Sequence, residues 1–282
     1  VLRHNNRGSI AEEMVLDLPS NSYVDDVQLT WVVIQSRIPE LRFDAYLVEP
    51  PEDRRNGWGV VAIHGHGSSA EKMVGFGQED YTRRMALRLA RQGFWVIVPN
   101  VTSDEDLNNT ASTQAALYGY TLNGIMVEFI QSTLDVAQDR GYQKIGLMGI
   151  SNGAFLSLLT AGLDDRPDFV VASGILHPFY KNVLAQINKT GKQYFFYFNG
   201  PFWLEFDVAE LGFLVAPRPL IFTVGTEDKV VEGWESEYSR VRTVYEKLQI
   251  PERLGLVQFH GSHELDEDHT IQLLSEWVEK KQ

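Results

Sequence analysis

KIGLMGISNGAFLSLLTA, residues 144–161, is the stretch that decides the fold. An apolar run leads into the pentapeptide Gly149-Ile150-Ser151-Asn152-Gly153, and a helix-forming run leaves it. A buried strand that turns sharply into a helix holds the middle serine in a strained backbone conformation, with its hydroxyl exposed at the sheet edge. Glycines two before and two after the serine keep side chains out of the tight turn. The bare pentapeptide also arises by chance in ordinary loops. The strand before it and the helix after it make Ser151 a candidate nucleophile.

Working outward, residues 59–63, 94–98, 144–150, 169–176, 219–224 and 254–259 are short apolar runs. Helical patterns alternate with them at 81–92, 119–140, 235–248 and 268–280, and Gly93 and Gly141 stop the first two. Continuous apolar strands between helices imply a mostly parallel sheet covered on both faces, with the chemistry beyond the carboxyl ends of the strands. Residues 27–35 and 42–48 are rich in β-formers and read as an antiparallel pair preceding the parallel part. Residues 1–26 read as an N-terminal arm. Residues 177–216 interrupt the alternation with an aromatic-rich, lid-like insertion that should fold over the site. Most of its aromatics should be core; His177, Phe202 and Trp203 are taken as its candidate substrate contacts. Chains of this length and class often form one domain, so residues 1–282 are read as a single unit.

A hydrophobic fraction of 44% supports a large core, and a formal charge of −13 without a basic stripe argues against nucleic-acid binding. With no cysteine, disulfides, thiolate zinc sites and a cysteine nucleophile are excluded. No run is long enough to span a membrane as a helix. The chain starts with Val1, which suits a cytoplasmic protein and a secreted one whose leader was removed equally well. A homo-oligomer is compatible with this composition.

A serine hydroxyl needs a base, and the base needs a carboxylate to orient it and stabilise its charged form. On a strand–turn–helix nucleophile the chain order is serine, acid, histidine. His263, in QFHGSHE just past the last core strand, is the expected base, and His260 is its main competitor. His269 begins the last helix and is expected at the surface. Past the preceding strand, Asp228 is the expected acid, with Glu227 as the alternative; Asp207 lies inside the insertion. The oxyanion of acyl transfer needs backbone donors. The N–H of Asn152 follows the nucleophile, and the glycine-flanked His66 in IHGHGSS, residues 63–69, offers the second. His64 and His66 together could instead suggest a metal, but no carboxylate cluster with hydrolase-metal spacing accompanies them.

At this level the chain resembles the α/β-hydrolase superfamily and, within it, the dienelactone hydrolase-like and acetyl xylan esterase-like serine hydrolases. His64-Gly65-His66-Gly67, the 149–153 pentapeptide, VAPRPL at 215–220, GTED at 225–228 and HGSHE at 260–264 carry the resemblance, with FDVAEL at 206–211 in support. It implies a cofactor-free enzyme that cleaves small or carbohydrate-linked carboxylic esters through an acyl-enzyme, with Ser151, Asp228 and His263 as the triad. Acetyl xylan esterases often carry tyrosine at the position of His66, and dienelactone hydrolases proper carry cysteine at that of Ser151. A peptidase or amidase of the prolyl-peptidase type would use the same residues, and an inactive hydrolase fold kept for binding is the third reading.

Overall fold

The computed structural model describes residues 6–17, 26–101, 105–178, 188, 206–266 and 268–279. Among them, nine strands form one sheet: β1 (Ser9–Leu16), β2 (Gln28–Gln35), β3 (Arg42–Glu49), β4 (Gly59–Ile63), β5 (Trp95–Pro99), β6 (Ile145–Ile150), β7 (Phe169–Ser173), β8 (Leu220–Gly225) and β9 (Leu254–Phe259). Their spatial order is β1-β2-β3-β5-β4-β6-β7-β8-β9. The pairs β1–β2, β2–β3 and β3–β5 are antiparallel, and every later pair is parallel. This is the α/β-hydrolase architecture expected from the sequence, with helices on both faces.

The parallel strands β4, β5, β6, β7 and β8 are buried at every position, as sheets covered on both sides require. On one face Val61, Leu147, Val170 and Phe222 pack against α4 (Leu122–Asp139), α5 (Asn152–Leu163), α6 (Val208–Val215) and α7 (Trp234–Lys247). On the other, Val60, Met148, Val171 and Ile221 pack against α1 (Ala70–Met73), α2 (Met85–Arg91) and α8 (His269–Glu279). Helix α3 (Glu105–Leu117) precedes α4.

Three features depart from the sequence reading. The supposed N-terminal arm contains β1, which extends the sheet from Ser9 onward with a bulge between Ile10 and Glu12. Its side chains are mostly exposed, so it lacks the alternation that marks a half-buried strand. Asp135, buried on α4, anchors it by accepting from the Gly8 N–H at 2.7 Å and from Arg37 and Arg166. The helix expected from residue 81 starts only at Met85, because Asp80 ties Thr82 into a turn and Arg83 and Arg84 adopt positive φ. Helix α3 was not anticipated, since EDLNNTASTQAAL mixes Asn, Thr and Ser that compete with helical hydrogen bonding. Among the described residues, no helix is long and apolar enough to cross a membrane.

Candidate active site

Between β6 and α5, Ser151 sits at φ 55° and ψ −121°, a region that side chains other than glycine rarely occupy. Strain of this kind persists only where the surroundings hold it in place. They do here: the Ser151 N–H donates to the Ser173 carbonyl at 2.9 Å, and its own carbonyl accepts from the Phe155 N–H at 3.0 Å. The flanking glycines are a steric necessity. A Cβ on Gly149 would lie 2.3 Å from the backbone of Gly153, and one on Gly153 would lie 2.2 Å from the Ile63 carbonyl. The turn therefore packs directly on the end of β4, where the 64–67 loop begins.

Asn152 opens α5, so its N–H is among the amides that a helix leaves without an internal partner at its positive end. Its side chain is buried, and neither polar atom of the carboxamide is hydrogen-bonded among the described residues.

His263 and Asp228 come together across 35 residues, with His263 Nδ1 2.8 Å from Asp228 Oδ2. Asp228 is buried, and its other oxygen accepts from the Val230 N–H at 2.8 Å, which fixes the carboxylate plane. The ring lies against Gly174, the residue after the Ser173 whose carbonyl holds the serine turn; a Cβ there would be 2.9 Å from His263 Cε1. The competitors fall elsewhere. His260 is 87% exposed in its side chain and faces the exposed Glu227 at 3.8 Å. His269 is bonded to Asp266 at the start of α8, and Asp207 caps α6 in a capping box with Glu210.

His66 is half-buried, with its carbonyl accepting from the Tyr81 hydroxyl at 2.7 Å and its Nδ1 3.2 Å from Asn108 Nδ2. His64 is fully buried, with Nδ1 3.1 Å from the Gly65 carbonyl, and burial lowers its pKa. The two imidazoles thus have separate partners, and no cluster of metal-ligating side chains occurs among the described residues. His177 is buried beside the pair; burial pushes its pKa down to about 4, against a hydrogen bond to the Pro178 backbone and the charge of Asp228. It is a neutral imidazole near neutral pH. Phe202 and Trp203 lie outside the described residues.

Sequence reasoning passed over Tyr81, Asn108 and Gly174. Each acts through a contact distant in the chain, and only the preference of glycine for positive φ at residue 174 leaves any local trace.

A family model described as the dienelactone hydrolase family matches residues 43–197. The chain belongs to this family. "Putative hydrolase YtaP" of Bacillus subtilis (strain 168) is 26% identical over 218 residues, covering 71% of each chain. A putative acetyl xylan esterase from Bacteroides fragilis superposes with a TM-score of 0.70 at 14% identity, over 96% of this chain and 83% of that one. A glucuronoyl esterase from Caldicellulosiruptor kristjansonii gives 0.62 at 18% identity, over 96% and 80%. These likenesses are of fold. The family match supports a hydrolase.

Proposed function

We propose that this member of the dienelactone hydrolase family is a serine esterase working through an acyl-enzyme. In this reading the Ser151 hydroxyl attacks the ester carbonyl carbon while His263 Nε2 takes its proton. Asp228 holds the opposite ring nitrogen protonated and stabilises the imidazolium. The N–H groups of Asn152 and His66 receive the charge that develops on the carbonyl oxygen. As the intermediate collapses, the imidazolium gives its proton to the departing alcohol. Water then attacks the acyl-serine by the same route, which frees the acid and restores the hydroxyl.

The observation that carries the reading is the His263–Asp228 pair at 2.8 Å, packed on Gly174 directly after the residue that anchors the strained serine turn. A hydrogen-bonded imidazole and a hydroxyl on a strained, glycine-flanked turn, both at the carboxyl end of the parallel sheet, suit acyl transfer and need no metal ligand set. The substrates we assign are short-chain or carbohydrate-linked acyl esters. His177 forms an uncharged wall beside the base, and Phe202 and Trp203 are assigned to contacts with the alcohol or acyl group.

The test is p-nitrophenyl acetate turnover by Ser151→Ala. Loss of turnover with an unchanged thermal unfolding midpoint is expected. Wild-type turnover in that variant would remove the mechanism.

A further inference from the structure

The 64–67 loop presents a physical problem that the fold has to solve. An oxyanion donor works only when it is held in place before the charge appears. His66 nevertheless stands between Gly65 and Gly67, residues with little conformational restraint of their own, and Gly67 adopts φ +75°. Neither glycine can be replaced by a more restrained residue without cost. A Cβ on Gly65 would meet the Tyr81 hydroxyl at 2.7 Å, the Ile150 carbonyl at 2.8 Å and the Ser151 Cβ at 3.1 Å. At Gly67 the positive φ would strain any side chain.

The restraint comes from two side chains distant in sequence. The Tyr81 hydroxyl donates to the His66 carbonyl at 2.7 Å, and Asn108 Nδ2 lies 3.2 Å from His66 Nδ1. One tether fixes the peptide after His66 and the other fixes its ring, so the His66 N–H between them loses its freedom to swing. Both side chains are themselves held. Asn108 is 3% exposed on α3, and Tyr81 is half-buried against the α2–α8 face of the core. Asp80, adjacent to Tyr81, accepts from the Ser68 hydroxyl at 2.6 Å and closes the far side of the loop.

Tyr81 also reaches the base. Its carbonyl accepts from the Leu265 N–H at 2.8 Å, two residues beyond His263, and its ring centroid is 6.1 Å from that of His263. Arg83 pairs with Glu264 in the same stretch. Arg83 and Arg84 take positive φ in succession, so this turn is kept in a strained form at the position where the two loops meet.

We infer that Tyr81 and Asn108 are positioning residues: together they hold His66 so that its N–H is aimed at the oxyanion, and Tyr81 couples that aim to the loop bearing His263. The inference rests on the esterase reading above and adds to it two residues that act through His66 and not on the ester itself. Releasing either tether leaves substrate binding in place and lets the donor wander, so the loss falls on the chemical step.

The experiment uses the full chain with Tyr81→Phe, Asn108→Ala and the double variant, p-nitrophenyl acetate as substrate and an aryl trifluoromethyl ketone as probe. The serine oxygen adds to the ketone carbonyl, which places an oxyanion in the hole. In Tyr81→Phe, kcat should fall roughly 10- to 100-fold with KM within about twofold, and the ketone should bind more weakly by a similar factor, as expected for a misplaced donor. Asn108→Ala should lower kcat in the same manner, and the double variant should lose less than the product of the two, because both act on one group. Unchanged kcat in both single variants, or a raised KM at unchanged kcat, would overturn the assignment. So would lowered kcat with unaltered ketone affinity, since a purely structural role moves stability and not transition-state binding. If Tyr81→Phe does not fold, Asn108→Ala decides by the same criteria. Full activity in Ser151→Ala would instead remove the esterase mechanism, so the two failures are distinguishable.

Discussion

Gly174→Ala is the sharpest perturbation available at His263, the proposed base. Gly174 has φ +59°, where an alanine costs on the order of 1–2 kcal/mol in backbone strain. The added methyl would also sit 2.9 Å from His263 Cε1 and 3.1 Å from Nδ1. Ordinary carbon contacts begin near about 3.5 Å, so the ring has to retreat by roughly half an ångström. That retreat acts on the 2.8 Å bond to Asp228 and, in the proposed mechanism, on proton transfer from Ser151. A misplacement of about 1 Å in a catalytic group can cost about 100-fold, so about tenfold in kcat is expected here, close to 1.4 kcal/mol in barrier. Gly57→Ala supplies the control, with φ +80° and, among the described residues, no atom within 4 Å of the added methyl. It carries the backbone strain without the contact. The assay is kcat for p-nitrophenyl acetate alongside the thermal midpoint. Both variants should lose a few degrees, and only Gly174→Ala should lose turnover. Equal kcat in the two would refute the placement of the ring as a determinant of rate.

Two further expectations follow from the same geometry. Asp228→Asn should reduce kcat by roughly 10³- to 10⁴-fold, because an amide no longer selects the required tautomer, while Glu227→Gln should stay within about twofold; comparable losses in the two would reassign the acid. His177 has a folded pKa near 4, below the ordinary value of 6.5, so the unfolded chain binds the extra proton between those values and stability drops as pH falls through that window. His177→Gln should therefore flatten the decline in the thermal midpoint between pH 6.5 and 4, recovering on the order of 2–3 kcal/mol at the acid end. An unchanged pH profile in that variant would show that another group is responsible.

Much of the architecture could be read from the chain because the parallel strands are buried on both faces and therefore appear as unbroken apolar runs. The runs at 59–63 and 254–259 match β4 and β9 from end to end, and the others agree to within a residue or a few at their ends. Strand β1 was hidden for the opposite reason: it takes its order from pairing with β2 and from the Gly8–Asp135 bond, not from buried side chains. At the site, chain order and position past the strands brought out Ser151, Asp228 and His263, with Glu227 and His260 as the competitors. What the chain could not show is the direction of each side chain. One carboxylate is buried and faces a ring, and the other histidine points to solvent. The tethers on His66 were beyond sequence reasoning because Tyr81 lay within an expected helix and Asn108 on one that was not anticipated.

The central claim is that Ser151 is a nucleophile activated by this constellation, and covalent trapping tests it most directly. The protein is treated with a fluorophosphonate, and the site of modification is mapped by mass spectrometry of its peptides. A single adduct on Ser151, formed in the wild type and slowed severely in His263→Ala, is the expected result. Absence of labelling, or labelling on another residue at the same rate in both proteins, would contradict it.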